Sequence, residues 1–230
     1  MKRVYQTLLC TFLLFNAGIT AVWSQESETD FVKRRLEKYF TYAEYVDVEG
    51  SPFLFDAWST GIVKFANGKQ ASNLKLKYDL VKDQLIFENP DVPGQLLLFE
   101  DKVSEFKLDG TNQSFYFRNG FQNAGINTKE TFYQILFEGN SSLLKKGSKT
   151  VFENRPFNIA TVTRSVKEQT AYYIAKGNTP VKIKRDKKTI LSILGNHTAE
   201  LEQFIQVNTL DLKNDADLVK LMNYYNSIRI

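Results

Sequence analysis

The chain has 230 residues, 43% hydrophobic and 24% charged, with 30 Lys and Arg against 26 Asp and Glu for a net charge of +4. That length supports a packed core without disulfides, and the near balance of charge excludes a general pull toward nucleic acid or anionic membranes, leaving only local patches. The single cysteine, Cys10, excludes an internal disulfide framework and a cysteine-built metal site.

Lys2 and Arg3 precede an apolar stretch from Val4 to Phe15, interrupted by Gln6, Thr7 and Thr11, and smaller residues run from Ala17 to Ser24. This is the order of an export signal, and the stretch falls short of the roughly 18–20 apolar residues that a spanning helix needs. Val22, Trp23 and Ser24 before Gln25 suit a cleavage site, so residues 1–24 are expected to be removed, leaving 28 basic and 26 acidic residues. Cys10 would leave with them; it lies inside the apolar stretch, where no lipid anchor is attached. No later stretch is apolar enough to span a bilayer as a helix.

Residues 25–60 read as a lead-in. Asp30 is placed to cap a short helix with Val32, Leu36, Tyr39 and Phe40 on one face. Ser51, Pro52, Phe53, Leu54, Phe55, Asp56, Ala57 and Trp58 follow neither period and read as an extended piece plugging a core.

Residues 61–185 read as an antiparallel β body. A first strand runs from Gly61 through Phe65 to an Asn67-Gly68 hairpin turn. In the second, Leu74, Leu76, Tyr78 and Leu80 alternate with Lys75, Lys77 and Asp79, placing one face on a core and the other in water. Further strands are expected at 84–88, 95–100, 103–108, 114–118, 131–138, 143–152, 171–175 and 181–184, with turn residues between them. No helical crossover intervenes, which argues against a parallel sheet. Bulky groups on both faces, as in Phe115-Tyr116-Phe117 and Tyr172-Tyr173, call for cover on both sides. An antiparallel β sandwich, a partly closed barrel, or a curled sheet under terminal helices each supplies it.

Residues 186–230 turn helical. Asp186 is placed to cap a helix holding Ile190, Leu191, Ile193 and Leu194, which Gly195 ends. A second helix fits around Leu201, Phe204 and Ile205, and a third starts near Asn214 with Leu218, Leu221, Met222 and Tyr225 inward. All three are too short to persist alone in water and are expected to cover a sheet face.

The run from Ser51 to Trp58, with Gly61-Ile62-Val63-Lys64, Asn67-Gly68, Leu76-Lys77-Tyr78-Asp79, Tyr172-Tyr173-Ile174 and Asn223-Tyr224-Tyr225-Asn226, resembles a family of exported bacterial proteins with no assigned activity. The resemblance spans most of the chain after residue 24. It implies a bacterial envelope setting and supplies no functional residues; with the export signal, the periplasm is the expected compartment, and the cell surface or secretion are the alternatives.

No cofactor motif and no assembled catalytic or metal motif is present in the sequence. His197, the only histidine, lies between two expected helices, where a capping or surface role is usual. Asp79, Asp83 and Glu88 flank one hairpin and offer the carboxylates a hydrolase would need, although Asp at strand ends is ordinarily turn chemistry. Asp211, Asn214, Asp215 and Asp217 crowd a helix start, but with Lys213 among them and no Gly they read as caps rather than a calcium loop. Lys182, Lys184, Arg185, Lys187 and Lys188 form the densest basic run. They are a candidate polyanion patch for peripheral contact with an anionic membrane surface, or a lysine-protected strand edge. Phe53, Phe55 and Trp58, with Tyr116 and Tyr133, are candidate aromatic contacts for sugars or peptides.

These readings together lead to an expected exported, non-catalytic binding or scaffolding module for an envelope component. The alternatives are a carrier enclosing a small apolar or amphipathic molecule and a carboxylate-dependent hydrolase.

Overall fold

A computed structural model describes residues 39–155, 157 and 162–228. The expected export signal and most of the expected first helix lie outside these residues. Eleven strands form one mixed, mostly antiparallel sheet: β1 (Val48–Glu49), β2 (Ser59–Phe65), β3 (Gln70–Asp79), β4 (Gln84–Glu88), β5 (Leu96–Leu98), β6 (Val103–Asp109), β7 (Ser114–Arg118), β8 (Tyr133–Phe137), β9 (Ser141–Asn154), β10 (Thr163–Lys176) and β11 (Thr179–Ile183). Three helices follow, α1 (Lys187–Leu194), α2 (Thr198–Val207) and α3 (Asp215–Ile228).

The strands lie in the order β1-β10-β9-β8-β7-β6-β2-β3-β4-β5, with β11 beside β10. Every ladder is antiparallel except the short pairing of β1 with β10. The sheet is open, yet it curls. Although four strands separate β9 from β3 in the sheet order, Lys149 N donates to Leu80 O at 2.9 Å just beyond the end of β3. Gly61 permits part of this curvature: a β-carbon there would stand 2.3 Å from Lys107 O, so β2 and β6 meet at backbone distance beside a register shift in the β2–β3 ladder.

Alternation along the strands sorts the core onto two faces. Val63, Phe65, Leu76, Tyr78, Phe106, Leu108 and Phe117 fill the inside of the curl. On β9 and β10, Leu143, Tyr172 and Ile174 pack under the helices, while Leu144, Tyr173 and Ala175 face the other way. The inward helix residues are the expected ones, Ile190, Leu191, Leu194, Leu201, Leu218, Leu221, Met222 and Tyr225. The Asp186 carboxylate accepts from Thr189 N at 2.8 Å, and Gly195 closes α1 with φ 81°.

The expected first helix does not extend to its last two residues. Tyr39 bridges Leu97, and Phe40 N donates to Leu96 O at 3.0 Å, so this stretch extends along β5. The exposed edge of β5 offers it backbone partners that a lone helical turn could not match. Among the described residues, no helix is long and apolar enough to cross a membrane.

Candidate functional site

The segment between β1 and β2 is the expected plug, but only its first half is core. Phe53 is 4% exposed and bridges Asp79, and Leu54 N donates to Tyr78 O at 2.9 Å. Lys149 Nζ donates to Ser51 O at 3.0 Å and to Phe53 O at 2.6 Å, fastening the segment to β9. Beyond Phe53 the chain rises out of the core, leaving Phe55 and Trp58 half-buried and Asp56 and Ala57 exposed.

Phe53, Phe55 and Trp58 thereby converge on one open cleft of about 800 Å³, whose opposite wall is the β6–β7 turn from Asp109 to Gln113 together with Phe115. Phe55 meets Phe115 edge to face at 5.0 Å. Gly110 makes room for that ring, since a β-carbon there would stand 2.8 Å from Phe115 Cε2. The Lys77 ammonium supports the aromatic wall, 4.8 Å from the Phe53 ring and 5.2 Å from Trp58, and donates to Asp56 O at 2.6 Å. Burial pulls the Lys77 pKa down, against the attraction of Asp56.

The cleft's ionic groups are largely balanced. Asp109 accepts from Lys107 Nζ at 2.9 Å and Ser114 Oγ at 2.7 Å, and these hydrogen bonds hold its carboxyl below the usual carboxylate range. Lys149 is occupied by the two carbonyls. What remains toward solvent is a set of aromatic rings flanked by the exposed side chains of Thr111, Asn112 and Gln113.

Two of the other expected aromatic contacts lie elsewhere. Tyr133 is fully buried against Phe121 and Tyr173, because its strand position faces the core beneath β9, so it cannot serve as an exposed platform. Tyr116 is 55% exposed but borders a separate hollow of about 410 Å³ with Arg118, Leu136 and Glu138.

The carboxylates considered for hydrolysis are engaged with three different sets of partners. Asp79 is fully buried and accepts from Tyr45 OH at 2.6 Å, Val81 N at 2.8 Å and Lys82 N at 3.0 Å. Burial, and then the bond to Asp79, push the Tyr45 hydroxyl well up. Asp83 pairs with Lys146 Nζ at 2.7 Å, accepts from Phe132 N at 3.3 Å and from the Tyr78 hydroxyl. Glu88 takes Lys75 Nζ at 2.7 Å and Gly94 N at 3.0 Å, and the Lys75 bond leads in lowering its pKa.

The acidic cluster at α3 disperses in the same way. Asn214 Oδ1 caps Ala216 N at 2.8 Å, Asp217 pairs with Lys220 at 2.9 Å, and Asp215 turns to the sheet. His197 occupies the start of α2 at φ 62°, its Nδ1 3.3 Å from Glu200 Oε2.

The basic run is divided. Lys182, Lys184 and Lys188 are exposed, with Lys182 on edge strand β11. Lys187 lies 3.4 Å from Glu202, and Arg185 packs over Tyr172 and binds Asp215 at 3.4 Å and Lys213 O. Arg185 thus docks α3 to the sheet rather than facing an external anion.

The β6–β7 side of the cleft was not legible in the sequence. Asp109-Gly110 marks a turn, but nothing in Thr111, Asn112 and Gln113 links that turn to a segment some fifty residues upstream. Comparison with known protein families, curated proteins and solved structures found no match.

Proposed function

We propose that this chain is an exported, non-catalytic envelope protein that binds another envelope component through the cleft between residues 51–59 and the β6–β7 turn. The observation that supports it best is the convergence of Phe55 and Trp58 with Phe115 on one open surface over the buried Phe53, where these half-buried rings remain reachable. Structural commitments of Asp79, Asp83 and Glu88 favour binding over hydrolysis. Large side chains filling the inside of the curl favour an open binder over a carrier with an internal cavity. The export part rests on the residue order at 1–24 and on the resemblance to exported proteins.

Protein isolated from its host should be found in the envelope fraction with Gln25 at its amino terminus. Purified protein should sediment with isolated envelopes, and Phe55→Ala with Trp58→Ala should abolish that retention in buffers of high salt. Retention unchanged by these substitutions would remove the cleft from the proposal. If added salt alone dissolved the association, the exposed Lys182, Lys184 and Lys188 would be the contact instead. Turnover of glycan or ester substrates by the pure protein would overturn the non-catalytic reading.

A further inference from the structure

Resting on the cleft as the contact surface, we infer that its ligand is a neutral oligosaccharide, held by stacking on rings contributed by both walls and by side-chain hydrogen bonds from the β6–β7 turn. The first support is the pairing of chemistries. Phe55, Trp58 and Phe115 offer apolar ring surface, and Thr111, Asn112 and Gln113 offer uncharged donors and acceptors beside it. A pyranose presents matching surfaces, with C–H groups on its faces and hydroxyls around its rim.

The second support is charge. Asp109 is neutralised by Lys107, Lys149 is held by the carbonyls of Ser51 and Phe53 with Glu168 3.9 Å away, and Lys77 is held by Asp56 O beside the Phe53 and Trp58 rings, so each of these cations is already engaged within the protein. Asp56 stays exposed at the rim with its carboxylate able to accept from hydroxyls, and it disfavours an acidic sugar.

The third support separates a glycan from a peptide. An extended peptide is recognised mainly by adding to a free strand edge. Here most of the main chain of 51–54 is already engaged: Phe53 N donates to Ser51 Oγ at 3.3 Å, Leu80 N to Pro52 O at 2.9 Å, Leu54 N to Tyr78 O at 2.9 Å, and Lys149 to the carbonyls of Ser51 and Phe53. Recognition is left to side chains. A volume of about 800 Å³ suits a ligand of several sugar rings.

The chain holds two tryptophans, Trp23 and Trp58, so full-length protein carrying Trp23→Phe reports on the cleft through Trp58 fluorescence alone. It would be titrated with neutral oligosaccharides of varied linkage, uronic-acid oligosaccharides, an unbiased peptide library and phosphatidylglycerol vesicles. The expected result is a saturable change in Trp58 emission with at least one neutral oligosaccharide. Phe55→Ala and Asn112→Ala should each weaken it by about tenfold. Asn112 lies on an exposed turn away from the core, so that variant keeps the test valid if Phe55→Ala fails to fold. Saturation by peptides, acidic glycans or vesicles in place of neutral ones, with the same sensitivity to Asn112→Ala, would overturn the ligand class and leave the cleft standing. No response to any probe would overturn both.

Discussion

Two lysines neighbouring in sequence show how position decides what a charge does. Lys146 is buried, with Nζ 2.7 Å from Asp83 and 3.1 Å from Tyr78 OH, and burial pulls its pKa down against the pull of Asp83. Removing one member of such a group strands the other, whereas removing both is far milder. Lys146→Met is expected to cost about 2–3 kcal/mol, less than the roughly 3–5 kcal/mol of a fully buried pair because the Asp83 side chain is 26% exposed, and Lys146→Met with Asp83→Asn to recover at least half of it. Urea unfolding of the two single variants and the double variant measures the cycle; strict additivity would deny the pair. Lys145, pointing the opposite way, binds Asp215 at 2.8 Å, where Tyr172 OH also donates at 2.7 Å. Burial alone would raise the Asp215 carboxyl, but the Lys145 and Tyr172 hydrogen bonds and the nearby cations bring it below the ordinary value. With its folded pKa depressed, Asp215 contributes stability that is complete above the unfolded value near 3.9 and is lost as pH falls through the folded pKa. Asp215→Asn should therefore lower stability by about 1 kcal/mol at neutral pH, a figure reduced for partial exposure, and flatten the acid limb below about pH 4. Unfolding curves at stepped pH would contradict this if wild type and variant lost stability in parallel.

At the level of elements, a single asparagine joins α3 to a turn of the sheet. Asn226 on α3 accepts from Ser141 N at 3.0 Å, and its amide donates to Ser141 O at 3.0 Å and Met222 O at 2.7 Å, closing the β8–β9 turn. Gly139 must lack a side chain there, since a β-carbon would stand 2.6 Å from Asn226 Oδ1. Asn226→Ala removes these hydrogen bonds from part-buried groups and is expected to cost roughly 1–3 kcal/mol, with faster amide exchange confined to α3 and the β8–β9 turn. Exchange rising evenly across the sheet would rule out this local role. The elements that were legible in the sequence are those whose pattern records burial. The β3 alternation and the inward face of α3 are found where Leu76, Tyr78, Leu221 and Tyr225 predict them. What escaped had no burial to record. The first half of β10, from Thr163 to Thr170, pairs with the outer arm of β9 and is exposed or half-exposed throughout, so its residues carry no alternation. Likewise the cleft's second wall is an ordinary polar turn until the antiparallel β2–β6 ladder, with Gly61 opposite Leu108, brings it beside the segment that leads into β2.

The curl also determines how the whole molecule should unfold. Helices on one face of β8–β11 and a separate core inside β2–β7 would, if independent, come apart in two steps, as chains of this length often do. β9 opposes that. On this one strand, Leu143 packs under the helices, Leu144 faces the other way, and Lys146 and Lys149 reach across to the end of β3 and to the 51–54 segment. Losing the helices exposes Leu143 and loosens β9, which releases the contacts that hold the curl shut; opening the curl strips the same strand from the helices' support. The two cores therefore share one strand whose loss neither survives, and unfolding is expected to be cooperative. In the Trp23→Phe protein, Trp58 fluorescence follows the curl while far-ultraviolet circular dichroism follows the helices. Their urea midpoints should coincide, and a common shift of both is expected in Lys146→Met. Separated midpoints, with the helical signal lost first and Trp58 unmoved, would show that β9 does not couple the two halves.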